Sequence, residues 1–211
     1  IPASWEYLGN DDVRYVLGQP NQKNLLVIGV NPSTAKPKEP DNTIKRVIGI
    51  SQAQGYDGWI MVNIYPQRAT NPKNMKPLSN IIMENNLEVI SFICQAFDVK
   101  DALFAWGNLI DIFGKSSFLH TSQNQIEDLL KEMRVQCYHY SNLTKKGNPR
   151  HLLYAPYGKK LYIMKSFFNN TKLVRFVWLI GKFCKFVIFS NICLYNSAAP
   201  LASPKLARSS R

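Results

Sequence analysis

The sequence NLLVIGV at residues 24–30 is apolar at almost every position. A strand with one face in water alternates apolar and polar residues, whereas a strand covered on both faces is apolar throughout. Pro32 and Ser33 follow this stretch and end it. The stretch therefore predicts a buried strand of a parallel sheet that carries helices on both faces.

The chain from residue 24 to residue 140 repeats this alternation of strand and helix patterns. The predicted strands are 24–30, 59–64, 102–106 and 135–140, and the predicted helices are 42–55, 79–97, 107–114 and 122–133, with Asp41, Ser79 and Ser122 as caps. Regular alternation of this kind is typical of α/β proteins. We expect a three-layer α/β sandwich with a central, mostly parallel four-stranded sheet, formed as a single domain by residues 1–165.

The net charge of +12 is unevenly distributed along the chain. Residues 1–133 contain 12 basic and 14 acidic side chains, whereas residues 134–211 contain 14 basic side chains and no acidic one. The excess indicates either a surface that binds phosphates or a tail outside the fold. We interpret residues 166–211 as a basic, apolar tail that is disordered or non-native. Two lysines within its apolar part, residues 173–195, argue against insertion into a membrane.

The cysteines and histidines give no metal or disulfide pattern. The four cysteines contain no Cys-x-x-Cys pair, and the three histidines do not complete a zinc-binding spacing. We therefore expect a reduced, cytoplasmic protein without a metal or an organic cofactor.

A first cluster of polar residues follows the first predicted strand. Gly29 permits close approach to the backbone, and Asn31, Ser33 and Thr34 offer side-chain hydrogen bonds. Free N–H groups in such a turn can bind an anion. Ligands of parallel sheets bind outside the carboxyl ends of the strands, where this cluster is expected. The alternative is an ordinary polar turn.

A second cluster, after residue 62, contains Asn63, Arg68 and Thr70. An amide both donates and accepts hydrogen bonds, which matches the edge of a nucleobase. A guanidinium can bind phosphate or carboxylate through two parallel hydrogen bonds. The alternative is that Asn63 caps the loop and that Arg68 is solvated.

A third cluster follows the fourth predicted strand. Lys145, Lys146 and Arg150 are expected to bind phosphate groups, and His151 is expected to stabilise a leaving anion or to donate a proton. The alternative for His151 is a structural role.

The three clusters recur in order in a known family. The motifs are Gly-Val-Asn-Pro-Ser-Thr-Ala at 29–35, Asp41-x-Thr43-Ile44, Val62-Asn63 with Arg68-Ala69-Thr70, Trp106-Gly107, and Lys145-x-Gly147-x-Pro149-Arg150-His151. In this order they resemble the domain-of-unknown-function family 1643 of bacteria and phages, over residues 14–162. That family itself is similar to the uracil-DNA glycosylase superfamily.

The resemblance implies a three-layer α/β fold and roles for three residues. Asn31 would hold the hydrolytic water, Asn63 would recognise the base, and His151 would bind the leaving base. An amide cannot take a proton from water, and Asp41 is the nearest acidic residue that could replace the missing base. The extra polar residues Ser33, Thr34, Arg68 and Thr70 suggest a modified base or a free nucleotide.

Two hypotheses for the function follow. The first is hydrolysis of the N-glycosidic bond of a base in DNA or in a nucleotide, with Asn31, Asp41 and His151 as catalytic residues. The second is a module that binds nucleotides or nucleic acid without catalysis. An Asp41 side chain that points into the crevice would favour the enzyme, and one that only caps its helix would favour the binding module.

Overall fold

The computed structural model describes residues 4–164, which form one mixed β-sheet with α-helices packed against it. The strands are β1 (Glu6–Gly9), β2 (Arg14–Gln19), β3 (Asn24–Gly29), β4 (Gly58–Asn63), β5 (Asp101–Phe104), β6 (Gln136–Tyr140) and β7 (Leu161–Ile163). The α-helices are α1 (Asn42–Ala53), α2 (Asn80–Ala96) and α3 (Phe118–Glu132). Short 310 helices span Pro72–Asn74, Gly107–Asp111 and Leu152–Tyr154. The predicted tail, residues 166–211, lies outside the described residues.

The four predicted strands form the parallel centre of the sheet. The strand order is β1-β2-β4-β3-β5-β6-β7, and the pairs β3–β4, β3–β5 and β5–β6 are parallel. The α/β class is confirmed, whereas the expectation of a four-stranded sheet is wrong. The sheet has seven strands and is mixed, because β1 and β2 at one edge and β7 at the other pair antiparallel.

The sequence pattern did not predict the antiparallel strands β1, β2 and β7, and the reason is physical. Strand β1 is only half-buried along its length, and β7 consists of three residues, two of them exposed. Strand β2 contains an arginine and a glycine within its six residues. A strand that is buried on both faces is apolar throughout, whereas short, half-buried strands and strands with polar residues do not stand out from loops.

Alternate residues of the central strands enter two different cores. Leu26 and Ile28 of β3 pack with apolar residues of α2 and α3, such as Ile90 and Ile126. Leu25 and Val27 belong to the core that includes Ile44 and Val47 of α1. The sheet thus lies between α1 and the pair α2 and α3, with burial on both faces, as the apolar run at 24–30 predicts.

Two helix boundaries differ from the prediction. Helix α3 begins at Phe118, not after Ser122; Ser122 is buried inside the helix and donates to the carbonyl of Phe118 (2.9 Å). A serine can cap a helix or bond back within it, so its presence alone does not fix the start. The predicted helix at 107–114 is a 310 segment of five residues. Within residues 4–164, no helix is long and apolar enough to cross a membrane.

Strand order positions the candidate site. The chain passes from β3 to β4 on one side, and then crosses to β5 on the other side of β3. A crevice forms at such a reversal because the connections leave the carboxyl ends of β3 and β5 in opposite directions.

Candidate ligand-binding crevice

A crevice of about 600 Å³ opens at the carboxyl ends of the parallel strands. It is lined by residues that follow β3, β4, β5 and β6, together with the first turn of α1. Seven of the predicted site residues line it: Gly29, Asn31, Ser33, Asp41, Thr70, Arg150 and His151. The structure therefore brings together members of all three polar clusters.

Asn31 joins the loops that follow β3 and β4. Its amide nitrogen donates to the main-chain carbonyls of Ala69 (2.8 Å) and Pro32 (3.0 Å). Among residues 4–164, no donor bonds its Oδ1, and the residue lines the crevice. The two bonds fix the orientation of the amide, so that its oxygen is the atom available to a ligand or a water molecule.

Asp41 both caps its helix and lines the crevice. Its Oδ1 accepts from the N–H of Ile44 (2.8 Å), which makes it the N-cap of α1. The residue also lines the crevice, where its charge acts on Arg14 and on His151. The cap uses one carboxylate oxygen, and the structure therefore does not separate the two hypotheses on this criterion.

His151 is held as a neutral imidazole. It is the N-cap of the 310 helix Leu152–Tyr154, and its Nδ1 accepts from the N–H of Leu153 (3.3 Å). Burial lowers the pKa of His151, and the nearby Asp41 carboxylate opposes this only in part. Because Nδ1 is an acceptor, the proton of the neutral ring is on Nε2, which is therefore a hydrogen-bond donor.

Gly107 allows the loop that carries His151 to approach β5. Its φ is +63°, and a Cβ at this position would lie 3.0 Å from the Cβ of His151. The N–H of Gly107 donates to the carbonyl of Pro149 (2.8 Å). A side chain here would be strained and would displace His151. This explains why a glycine follows Trp106 in the quoted motif.

A network of side chains holds the loop after β6. Asn148 donates to Asp111 (2.8 Å) and to Asn108 (3.2 Å), and Thr144 donates to Asn108 (2.7 Å). The side chain of Asp111 is only 10% exposed, and it also pairs with Lys115 and His120. Hydrogen bonds from Lys115, Asn148 and His120 outweigh burial and lower the pKa of Asp111 to about 2.

Arg68 contacts the protein itself with its guanidinium. Its Nε donates to the carbonyl of Asn10 (2.8 Å), Nη1 to the carbonyl of Ser33 (2.6 Å) and Nη2 to the hydroxyl of Tyr7 (2.8 Å). These bonds tie the loop after β3 to the loop after β1. Arg68, Thr34, Lys145 and Lys146 do not line the crevice, and their binding of a ligand stays a prediction.

Asn63 is fully buried at the end of β4, beside the crevice. Its Oδ1 would lie 3.0 Å from a Cβ on Gly29, which does line the crevice. Among the described residues, neither polar atom of its side chain has a hydrogen-bond partner. An unsatisfied buried amide costs free energy, and it is therefore an unusual feature for a purely structural residue.

Of the 20 described residues that line the crevice, 13 were not predicted as site residues, and three of these carry a charge or an aromatic ring. Arg14 begins β2 and is only 3% exposed, Trp106 is buried after β5, and Tyr154 is 79% exposed at the end of the third loop. Trp106 and Tyr154 are located within or next to quoted motifs, so their aromatic character was an available signal. Nothing in the local sequence places Arg14 near residues 29–44.

The acidic, cysteine and histidine side chains of residues 4–164 contain no group of three that could hold a metal ion. Two cysteines in this part of the chain, Cys94 and Cys137, are buried free thiols, and burial raises the pKa of Cys94 to about 12. Their thiols are therefore protonated at neutral pH.

The fold and the crevice define an α/β protein whose crevice, at the carboxyl ends of its parallel strands, is lined by both polar and apolar side chains. The model of the family described as "Protein of unknown function (DUF1643)" matches residues 14–153, and the chain belongs to this family. The match includes β2 to β6 and every residue that lines the crevice except Tyr154. No curated protein matches the sequence.

Proposed function

We propose that the crevice binds a nucleotide, free or within DNA, and hydrolyses its N-glycosidic bond. The observation that carries this proposal is the convergence of Asn31 and Asp41, from the connection between β3 and α1, with His151, from the loop after β6, on one crevice. The resemblance to uracil-DNA glycosylases that the sequence motifs suggest agrees with this proposal, but a resemblance in fold does not fix an activity, since one fold hosts many functions.

The proposed chemistry assigns one step to each residue. The oxygen of Asn31 positions a water molecule beside the anomeric carbon of the sugar, with the amide held by its bonds to Ala69 and Pro32. The glycosidic bond breaks with its electron pair going to the base. The Nε2–H of neutral His151 donates a hydrogen bond to the departing base anion and stabilises it. Asp41 accepts the proton of the attacking water.

Binding of the base has support from two further features. Tyr154 presents an exposed ring next to His151, at a centroid distance of 5.7 Å. Aromatic rings of this kind stack on nucleobases. The amide of Asn63 is buried next to Gly29 and, among the described residues, carries an unpaired donor and an unpaired acceptor. The edge of a base would satisfy both groups.

Base release tests the proposal. The full chain is incubated with labelled single- and double-stranded oligonucleotides that carry uracil, hypoxanthine, mismatches or alkylated bases, and with free nucleotides. Released base is expected from one of these substrates, with a loss of more than 100-fold in Asn31→Ala and His151→Ala. The matched controls Asn74→Ala and His139→Gln lie outside the crevice and are expected to retain activity. Absence of release from every substrate would reject hydrolysis.

The second candidate is a module that binds nucleotides without catalysis. It is favoured by Asn31, whose amide lines the crevice but cannot take a proton from water.

Substitution of Asp41 tests its proposed role as the base. Asp41→Asn retains an oxygen for the cap but removes the charge, so it is expected to keep the free energy of unfolding within about 0.5 kcal/mol. If Asp41 is the base, base release falls at least 100-fold in this variant. Asp41→Ala removes the cap as well and is expected to cost about 1 kcal/mol in urea denaturation. Unchanged release in Asp41→Asn would contradict the role as base.

A further inference from the structure

Arg14 carries a buried charge at the side of the crevice. The residue is 3% exposed and lines the crevice, and its Nη1 donates to the carbonyl of Ala35 (3.1 Å). Its Nε is buried and has no hydrogen-bond partner among residues 4–164. Buried arginines normally have all of their N–H groups satisfied, so Nε is a donor for which the described protein supplies no acceptor.

The charge of Arg14 is also not balanced by an ion pair within the described residues. Burial and the neighbouring Arg68 lower the pKa of Arg14 to about 10, and the attraction of Asp41 compensates only partly. The guanidinium nevertheless remains charged at neutral pH. A buried cation beside a second cation is unfavourable until an anion binds.

The first turn of α1 faces the same crevice. Asp41, Thr43 and Ile44 line it, and Asp41 accepts the N–H of Ile44. The N–H groups of Asn42 and Thr43 are at the first two positions of the helix, where no carbonyl of the helix can accept them. These groups and the helix dipole favour an anion at this end of α1. Arg150 adds a further positive charge to the lining.

We propose that Arg14 and the first turn of α1 form a subsite for the terminal phosphate of a mononucleotide. A phosphate at the end of a ligand can reach a buried guanidinium. A phosphodiester within a polymer cannot enter such a site in the same way, because the chain continues on both sides of it. The inference rests on the proposed function, according to which the crevice binds a nucleotide. It narrows the proposed substrate to a free nucleoside monophosphate. The reaction would then release a free base and a sugar phosphate.

Binding measurements test the subsite directly. Calorimetry on the full chain compares deoxynucleoside 5′-monophosphates with the matching deoxynucleosides, and inorganic phosphate serves as a competitor. The monophosphate is expected to bind roughly 10- to 100-fold more tightly, as for a charged hydrogen-bonded contact. In Arg14→Gln this advantage is expected to disappear. In Arg134→Gln, which changes an exposed arginine outside the crevice, it is expected to persist.

A second variant does not depend on replacing a buried residue. Asn42→Pro removes one N–H from the first turn of α1, and proline is well tolerated at this first helical position. The preceding Asp41 is already extended, as a residue before proline requires. We expect a loss of roughly 3- to 10-fold in affinity for the monophosphate. Asn80→Pro makes the same change at the start of α2, after the extended Ser79, and is expected to have no effect.

Oligonucleotides distinguish a mononucleotide from the end of a DNA chain. Equal affinity for 5′-phosphorylated and 5′-hydroxyl oligonucleotides, together with tight binding of the monophosphate, is the expected result. If the monophosphate and the nucleoside bind equally, or if Arg14→Gln folds and retains the difference, the subsite is rejected. Phosphate binding that depends on Arg14 without base release would leave the subsite standing and would reject hydrolysis. Release of a base from internal positions of DNA, at a rate that added phosphate does not change, would support hydrolysis and reject the subsite.

Discussion

The two walls of the crevice are stabilised in different ways. The strand-end wall consists of residues 29–33 and 69–70, and its loops are joined through main-chain carbonyls that Asn31 and Arg68 bind. The loop wall consists of residues 107–108 and 144–154, and a side-chain network centred on Asp111 and Asn148 holds it. Gly29, Val30 and Pro32 of the strand-end wall are buried, whereas the loop wall ends in the exposed Tyr154. The comparison shows that main-chain acceptors join the loops of one wall and that side-chain pairs hold the other.

The largest effect is expected for the contact between Gly107 and His151 within the loop wall. Gly107→Ala places a Cβ in the left-handed region and 3.0 Å from the Cβ of His151, and we expect the free energy of unfolding to fall by about 3 kcal/mol. Gly114→Ala is the matched control, because its φ is +83° but no atom lies within 4 Å. It is expected to lose about 1 kcal/mol in urea denaturation. Equal losses in the two variants would show that contact with His151 does not matter.

A smaller effect is expected for the strand-end wall. Arg68→Met removes three hydrogen bonds and leaves the carbonyls of Asn10 and Ser33 unpaired, which is expected to cost about 2 kcal/mol in thermal or urea unfolding. Because Arg68 repels Arg14, the pKa of Arg14 should rise in this variant. A variant of unchanged stability that nevertheless loses its affinity for nucleotides would assign Arg68 to ligand binding instead.

The smallest effect is expected for Asp111 and depends on pH. Since the folded pKa is about 2 and the unfolded value is 3.8, the stabilisation is fully present above pH 4 and is lost as the pH falls toward 2. At pH 7, Asp111→Asn is expected to cost about 1 kcal/mol. The difference from wild type should shrink in acid. Asp98→Asn alters an exposed ion pair with Lys100 and should change stability by less than about 0.5 kcal/mol at any pH.

The buried parallel centre was predictable from the sequence because burial on both faces leaves a continuous apolar run. The apolar runs at residues 24–30 and 59–64 each correspond to a fully buried central strand within one residue at either end. The predicted strand 135–140 also matches β6, although polar residues interrupt it and only two of the five residues of β6 are buried. The antiparallel edges were not predictable in this way, because β1 and β7 are short and partly exposed. Their pairing depends on contacts between distant parts of the chain.

The same limit applies to the crevice. Residues at strand ends, such as Asn31 and His151, could be predicted because parallel strands bring their carboxyl ends together. Arg14 could not, since it reaches the crevice from β2, an antiparallel strand that the pattern did not show. Arg68 belongs to a predicted cluster, but the three acceptors that it binds come from parts of the sequence that no local motif connects to it.

The span of the crevice along the chain has a consequence for how the protein folds. Arg14 and Tyr154, near the two ends of the described residues, line the same crevice. Contacts between residues so far apart in sequence form slowly, because long loops must close before the contacts can stabilise them. A chain that ends before residue 144 lacks Thr144, Arg150, His151 and Tyr154 of the crevice, so ligand binding would report the completed fold.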